Sequence, residues 1–156
     1  MKIEMKGVER VSATPEQALR FVSDPNRVGP CMPDLQSLQI ADAHHFVAVV
    51  RVGVGPVRGN FKMDVQLASD PARPSELDLT AKGSGMGNGM NLRSHVRVVP
   101  VSDGSAELHW TAEAAVSGPL ASIGGRLLQD QARKTTESMF AAIREALQSP
   151  QASTAS

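Results

Sequence analysis

The sequence predicts an α+β fold: a seven-stranded antiparallel sheet wrapped around one long C-terminal helix, with two short helices after the first strand. Apolar and polar residues alternate strictly over residues 57–67, which is typical of a strand with one buried face. After Gly118 and Pro119 the apolar spacing becomes helical. Short turns separate the strands, so we expect sequence neighbours to pair and the sheet to be antiparallel.

A strand opens the chain, and two short helices follow it. Thr14 is a suitable N-cap, Pro15 suits the first helical position, and Gln17 is placed to complete a capping box. That helix should end near Asp24, and a short helical turn over residues 26–29 should follow it.

Six further strands are predicted after the helices, and two of them form a long hairpin around Gly55 and Pro56. The Gly-rich residues 83–89 lack the Lys and the downstream helix of a phosphate loop, so we interpret them as a hairpin turn. That turn is equally compatible with a mobile lip over a cavity mouth. The six strands are predicted at residues 33–40, 46–54, 57–67, 77–82, 90–98 and 106–116.

The C-terminal helix is predicted from Leu120 to Leu147, with an apolar stripe along one side. It is the only predicted element long enough to cover the apolar face of the sheet. A helix is only ~10 Å wide, so a sheet wrapped around it should leave a gap, and ligand sites are commonly of this kind. Gly124 and Gly125 fall within this helix, and they indicate either a widened ligand space or a frayed first turn.

Inward positions of the strands and the helix should line this cavity and supply shape and apolar contact. We predict that the lining comprises Phe46, Val50, Phe61, Met63, Leu79, Met90, Leu92, Trp110, Ile123, Leu127 and Met139. The chain has seven methionines and few aromatic residues. Flexible Met suits an adaptable apolar surface, but it serves equally well as ordinary core filler.

The composition suits one domain with a real core, which we expect to span residues 1–148, followed by a disordered tail at 149–156. Sixteen basic and sixteen acidic residues balance, and no charge run predicts binding of nucleic acid. One Cys excludes an internal disulfide and fits a reducing compartment. With no secretory signal and no run of ~18 apolar residues, we expect a cytoplasmic protein.

No pattern indicates a catalytic centre, a metal site or a bound cofactor. His95 and His109 fall on polar strand faces and His44 and His45 at a turn, with no carboxylate or cysteine at ligand spacing. Cys31 should pack near the short helices.

A basic group, comprising Arg126, Arg133 and Lys134, lies along the predicted C-terminal helix. We expect a solvated face there. Contact with an acidic partner or with anionic lipid headgroups is the alternative.

The order of elements is that of the helix-grip fold of START-like and birch-pollen-allergen-like proteins. Within that superfamily the sequence resembles the carbon monoxide dehydrogenase G-subunit (CoxG) family. The segments at 52–62 and 118–128, in this order and at this spacing, are specific, whereas the Gly-rich turn alone is a weak signal. The likeness is carried by residues 24–38, by residues 52–62, by Gly83-Ser84-Gly85, and by residues 118–128 followed by Ala132-Arg133-Lys134.

Members of this family are encoded beside molybdenum hydroxylases of the carbon monoxide dehydrogenase type but are not their catalytic part. The resemblance implies a non-catalytic accessory protein that binds a hydrophobic, lipid-like small molecule such as a quinone. It also implies a molybdenum hydroxylase as partner and recruitment of that enzyme to the membrane. Some relatives end in an apolar membrane segment. Here a short polar tail follows Pro150, so we expect only peripheral contact with the inner face of the membrane.

Two other functions remain open. One is a cyclase-like or hydratase-like enzyme of the same superfold, which would need a titratable group in its cavity. Against it, the alternation places nearly every charged residue outside. The other is an assembly chaperone whose core is packed shut, which the presence or absence of an internal cavity would distinguish.

Overall fold

The structure is a computed structural model that describes residues 1–102 and 104–148. It confirms the predicted α+β fold. Seven strands form one antiparallel sheet in the order β1-β7-β6-β5-β4-β3-β2. The strands are β1 (Lys2–Val11), β2 (Leu35–Asp42), β3 (His45–Val54), β4 (Val57–Asp70), β5 (Arg73–Gly85), β6 (Asn88–Ser102) and β7 (Ser105–Ser117), and the helices are α1 (Pro15–Val22), α2 (Pro25–Val28) and α3 (Gly125–Gln148). The tail predicted at 149–156 lies outside the described residues.

The predicted capping box fixes the start of α1. The Thr14 hydroxyl accepts a hydrogen bond from the Gln17 backbone N–H at 3.2 Å, and the Gln17 side-chain oxygen accepts one from the Thr14 N–H at 3.0 Å. Two otherwise unsatisfied donors of the first turn are thereby paired. The helix buries Ala18, Phe21 and Val22 and contacts β5, β6 and β7, so it closes one end of the apolar face.

The β3–β4 hairpin follows the alternation in the sequence. Val50 lies opposite Phe61 and Val54 opposite Val57, with Gly55 in the left-handed region at the turn (φ +57°). Because side chains on a strand alternate between faces, the apolar residues of both strands share the inner side of the sheet.

The Gly-rich segment differs from its prediction as a flexible turn over 83–89. β5 continues to Gly85 and β6 begins at Asn88, so only Met86 and Gly87 turn the chain, both with positive φ. A Cβ at Gly83 would lie 2.7 Å from the Met63 sulfur. The strand glycines therefore allow close packing against β4, a role the sequence pattern does not distinguish from turn formation.

The long helix begins later than predicted, at Gly125 instead of Leu120. A 3₁₀ turn over Pro119–Ser122 precedes it, and Gly124 adopts φ +106°. A helix cannot continue through a residue in that conformation. Gly124 therefore separates the turn from α3, and the prediction that Gly124 and Gly125 both lie inside the helix is wrong.

Candidate ligand-binding cavity

A groove on the outer face of the sheet and a cavity on its inner face are the candidate binding spaces. The larger, of about 840 Å³, is an open groove on the outer face over β1, β5, β6 and β7, with walls of charged side chains that include Lys6, Asp78 and Arg93. The smaller, of about 360 Å³, lies between the sheet and α3. We take this inner cavity as the candidate site because concave, mostly apolar spaces are the usual form of small-molecule sites.

The inner cavity is bounded by every strand except β2, by α3, and by the segment from α1 to Pro33. In β1 and in β3 to β7, the cavity is lined by residues at alternate positions, on the inward side of each strand. From the helix side, Leu128, Ala132 and Met139 lie on the face of α3 turned to the sheet. Thr135 lines the cavity and is itself exposed, so we infer that the cavity opens to solvent beside it.

Most of the residues predicted to line a cavity are placed around this one. Those in the lining are Val50, Phe61, Met63, Leu79, Met90, Leu92, Trp110 and Met139. Phe46 also faces inward but is 1% exposed in the solid core and does not reach the cavity. Ile123 is half-buried in the segment before α3 and likewise lies outside the lining.

The prediction that Leu127 points inward is wrong. Its side chain is 45% exposed, and the position of a Cβ at Gly55 would be 3.4 Å from it. The inward side of α3 is instead marked by Leu128, Ala132 and Met139, all in the cavity lining. Leu127, one residue before Leu128, is rotated away from the cavity by about 100°.

The structure adds polar lining residues that the sequence pattern does not indicate, namely Ser94, Gln131, Thr135 and Thr136. The Gln131 amide nitrogen lies 3.4 Å from the Thr135 hydroxyl. Thr136 donates to the Ala132 carbonyl at 2.8 Å. Gln131 and Thr135 lie three and seven residues after Leu128, so they share its side of the helix. They could be predicted to line the cavity once Leu128 is known to face inward.

Trp110 is held at the cavity wall by two neighbours. Its indole covers Gly7 of β1, where a Cβ would lie 2.9 Å from Nε1, and its ring lies 5.5 Å from the Phe140 ring at an interplanar angle of 32°. Trp110 is 9% exposed, and its Nε1 has no hydrogen-bond partner among the described residues. Most buried indole N–H groups are paired, which makes this donor unusual.

An ion pair joins α3 to the edge strand β1. Arg144 Nη1 lies 2.9 Å from Glu9 Oε1, and the side chain of Gln129 donates to the Glu4 carbonyl at 3.3 Å. Glu9 is on the inward side of β1, two residues beyond Gly7, contrary to the expectation that charges lie outside. Both charged side chains are partly exposed, so the pair stabilises the fold by only about 0–1 kcal/mol.

The histidines lie away from the inner cavity, and the rings of three of them contact carboxylates. The His45 ring is 2.7 Å from Asp64, and His109 is 3.0 Å from Glu107. His95 lies 2.7 Å from both Asp78 and Glu76. For His45 and His95, pairing across strands brings together residues 17 to 19 positions apart, a separation that local spacing does not reveal, whereas Glu107 and His109 are only two positions apart. In the described part of the chain, no group of three or more His, Cys, Asp or Glu side chains is arranged to hold a metal ion.

Cys31 is buried, as expected for a residue that packs beside the short helices. Its sulfur lies 3.6 Å from the Arg27 carbonyl oxygen. Desolvation by burial raises the pKa of the thiol to about 11. At neutral pH the thiol is therefore protonated and a weak nucleophile.

Comparison with solved structures shows the same fold in distant proteins. A conserved protein from Geobacillus kaustophilus has a TM-score of 0.83 at 23% identity, with 93% of this chain and 95% of that chain covered. A START superfamily protein from Mycobacterium smegmatis has a TM-score of 0.65 at 17% identity, with 91% and 94% covered. Norcoclaurine synthase from Thalictrum flavum has a TM-score of 0.65 at 15% identity, with 94% and 87% covered. No curated protein matches the chain.

The family comparison agrees with the motifs in the sequence. Residues 7–148 match the family of the carbon monoxide dehydrogenase G-subunit, CoxG. The matched range contains the β3–β4 hairpin, the segment 118–128 and almost all of the cavity lining. The chain therefore belongs to the carbon monoxide dehydrogenase G-subunit (CoxG) family.

Proposed function

We propose that this protein is a non-catalytic carrier of a neutral hydrophobic small molecule, and that it supports a molybdenum hydroxylase of the carbon monoxide dehydrogenase type. The observation that carries the proposal is the inner cavity of about 360 Å³, whose walls are apolar apart from Ser94 and a few polar groups on α3. Such a lining binds by shape and by removing apolar surface from water, at roughly 25 cal/mol per Å².

The volume of the cavity favours a ring-sized ligand. At ~30 Å³ per water molecule, the space of about 360 Å³ corresponds to roughly a dozen waters. It stands at the low end of the ~300–1,000 Å³ typical of ligand pockets. A quinone ring fits this description. A long isoprenoid tail would have to leave through the mouth beside Thr135.

The alternative of an enzyme is less well supported. General acid–base chemistry needs a titratable group within reach of the substrate. The described lining contains no Asp, Glu, Lys, Arg, His or Cys side chain. The norcoclaurine synthase likeness, at 15% identity, bears on the fold alone. An assembly chaperone with a closed core is also less well supported, because a cavity of about 360 Å³ lies between the sheet and α3.

Family membership supports the proposed partner, and the surface supports a peripheral location. The name of the family ties the chain to the carbon monoxide dehydrogenase system, so we expect contact with a molybdenum hydroxylase. None of the described helices combines the length and the apolarity that a bilayer span requires. We expect a cytoplasmic protein that contacts the inner face of the membrane through exposed groups such as Arg126 and Leu127.

Native mass spectrometry of the protein purified from its own host tests the carrier proposal. A bound, apolar and neutral molecule should add its mass to the folded protein and should be released by organic extraction. Extraction of an equal amount of unfolded protein is the control for adhering lipid. If both samples released the same amount of lipid, and the folded protein carried no added mass, the proposal would be contradicted.

A further inference from the structure

Exposed apolar side chains are concentrated at one end of the molecule. Five large hydrophobic residues of the described chain are exposed, and three of them, Met1, Met86 and Leu127, lie at this end. Met86 belongs to the β5–β6 turn and Leu127 to the first turn of α3, while the Met1 side chain lies 3.8 Å from the position of a Cβ at Gly125. Pro56, in the β3–β4 turn, is exposed at the same end. Single exposed apolar residues are ordinary, but a group on one surface marks an interaction site.

Glycines of the β3–β4 hairpin bring the segments that carry these side chains together. A Cβ at Gly55 would lie 3.4 Å from the Leu127 side chain, and the Met86 side chain lies directly over Gly59. The hairpin therefore touches both the start of α3 and the β5–β6 turn. These segments form one continuous surface, which we call the turn end and which comprises Met1, Pro56, Arg58, Met86, Arg126 and Leu127.

Both charged residues of the turn end are basic. Arg58 and Arg126 are exposed, whereas the neighbouring Lys2 is already paired with Glu4 and Glu113. No Asp or Glu occurs in residues 52–63, 84–91 or 114–129, which supply the two turns and the start of α3. Because the whole chain has equal numbers of acidic and basic residues, its charge is unevenly distributed, and the turn end is positive.

Apolar side chains flanked by cations are the combination that binds peripheral proteins to anionic membranes. We propose that the turn end docks on the surface of an anionic lipid bilayer, with its apolar side chains in the headgroup layer and Arg58 and Arg126 beside lipid phosphates. This inference rests on the peripheral location in the proposed function and adds the docking surface and the lipid class to it. Docking in this orientation directs the N-terminal end of α3 towards the lipid.

The shape of the turn end favours a bilayer over an acidic protein surface. Pro56 and Met86 lie in two separate turns, and Leu127 lies on a helix, so the exposed apolar groups protrude from three different segments. A specific protein interface needs a partner that packs closely against each protruding side chain. A fluid headgroup layer accepts such side chains without matching pockets, and its lipid charge complements the two arginines.

The test is co-sedimentation with vesicles of phosphatidylcholine, with and without phosphatidylglycerol. The wild type should bind only the vesicles that contain phosphatidylglycerol, and salt should release it, because salt screens exposed charges. The double variant Arg58→Glu and Arg126→Glu should lower the partition coefficient by about tenfold or more. The matched control is Arg20→Glu with Arg97→Glu, which changes the net charge equally at exposed positions outside the turn end. This control should bind like the wild type.

A second pair of variants tests the apolar contacts. Leu127→Gln removes an apolar group of the turn end, and Val101→Gln removes one of similar exposure, 41% against 45%, near the far end of β6. Leu127→Gln should weaken binding to the anionic vesicles several-fold, and Val101→Gln should leave it unchanged. Equal effects of the two substitutions would contradict insertion of the turn end.

The remaining outcomes separate this inference from the proposed function. Equal losses in the two arginine double variants would overturn the docking surface and leave membrane binding standing. Equal binding of the wild type to both kinds of vesicle would overturn the lipid class. If the wild type bound neither, the inference and the peripheral location would fall together, and the carrier function would stand. If the turn-end variants kept vesicle binding but no longer bound the hydroxylase of the host, this end would dock a protein and the inference would be overturned.

Discussion

The side-chain oxygen of Asn88 lies 2.6 Å from the backbone nitrogen of Leu120 and accepts its hydrogen bond. The amide nitrogen of Asn88 donates to the carbonyls of Gly85 and Met86 at 3.1 and 3.2 Å. Asn88 is only 6% exposed, the one buried polar residue of the described chain. It therefore joins the β5–β6 turn to the 3₁₀ turn that precedes α3. Leu120 lines the cavity, so this contact also sets the end of the binding space.

Replacement of Asn88 by Ala should destabilise the protein measurably. It leaves the buried N–H of Leu120 without an acceptor and two carbonyls without a donor, and an unsatisfied buried group typically costs about 1–3 kcal/mol. We expect the free energy of unfolding in urea to fall by about 2–3 kcal/mol. Asn91→Ala, at an exposed position of the same strand, should change it by less than ~0.5 kcal/mol. Equal effects of the two substitutions would show that the Asn88 contact does not hold the turn.

Gly7→Ala should disturb Trp110 and, through it, the cavity. The new methyl group would meet the indole at 2.9 Å, and overpacking of this kind typically costs ~1–3 kcal/mol. Tryptophan emission should shift, and binding of a quinone analogue should weaken. The matched control is Gly53→Ala, because no atom lies within 4 Å of a Cβ there. That variant should keep wild-type emission and binding; a shift as large as that of Gly7→Ala would contradict this account of the ring's position.

Cys31 should react slowly with Ellman's reagent. Burial raises the pKa of its thiol from the ordinary value of 9.0 to about 11, which lowers the thiolate fraction at pH 8 by roughly 100-fold. We therefore expect the folded protein to react at least that much more slowly than the same protein in urea. Equal rates in the two conditions would show that the thiol is accessible.

The raised thiol pKa also has a consequence for stability. Burial favours the protonated form, so the contribution of Cys31 is fully present below the unfolded pKa and is lost as pH rises through the folded value of about 11. The free energy of unfolding of the wild type should fall between pH 9 and 11 relative to Cys31→Ala. If the free energies of unfolding of the two proteins changed with pH in the same way, the raised pKa of the Cys31 thiol would be contradicted.

The sheet can be predicted from the sequence because its signals are local. Alternation fixes which face of β4 is buried, and turn residues such as Gly55 fix where the hairpin reverses. The capping box at Thr14 is equally local, and the structure confirms it. By contrast, the start of α3 depends on the positive φ of Gly124 and on the contact from Asn88. The latter joins positions 32 residues apart, and no periodic pattern encodes it.

The same reason explains which cavity residues the sequence pattern cannot reveal. The start of α3 at Gly125 instead of Leu120 places Ile123 before the helix, and packing against the sheet decides which side of the helix faces inward. The predicted stripe therefore includes Leu127 and omits Gln131. The unpaired N–H of Trp110 cannot be predicted from the sequence either, because whether a donor finds an acceptor depends on all the residues around it in the folded protein.

The central claim is that the inner cavity binds a hydrophobic ligand, and a fluorescence titration tests it most directly. The chain has one Trp and no Tyr, so a quinone analogue that enters the cavity should quench the emission of Trp110. The comparison is between the wild type, Ala132→Phe on the cavity side of α3, and Ala141→Phe on its exposed side. We predict saturable binding at micromolar or lower Kd, about −8 kcal/mol, weakened at least tenfold by Ala132→Phe and unchanged by Ala141→Phe. Unsaturable quenching in the wild type, or equal affinity in all three folded proteins, would contradict the account.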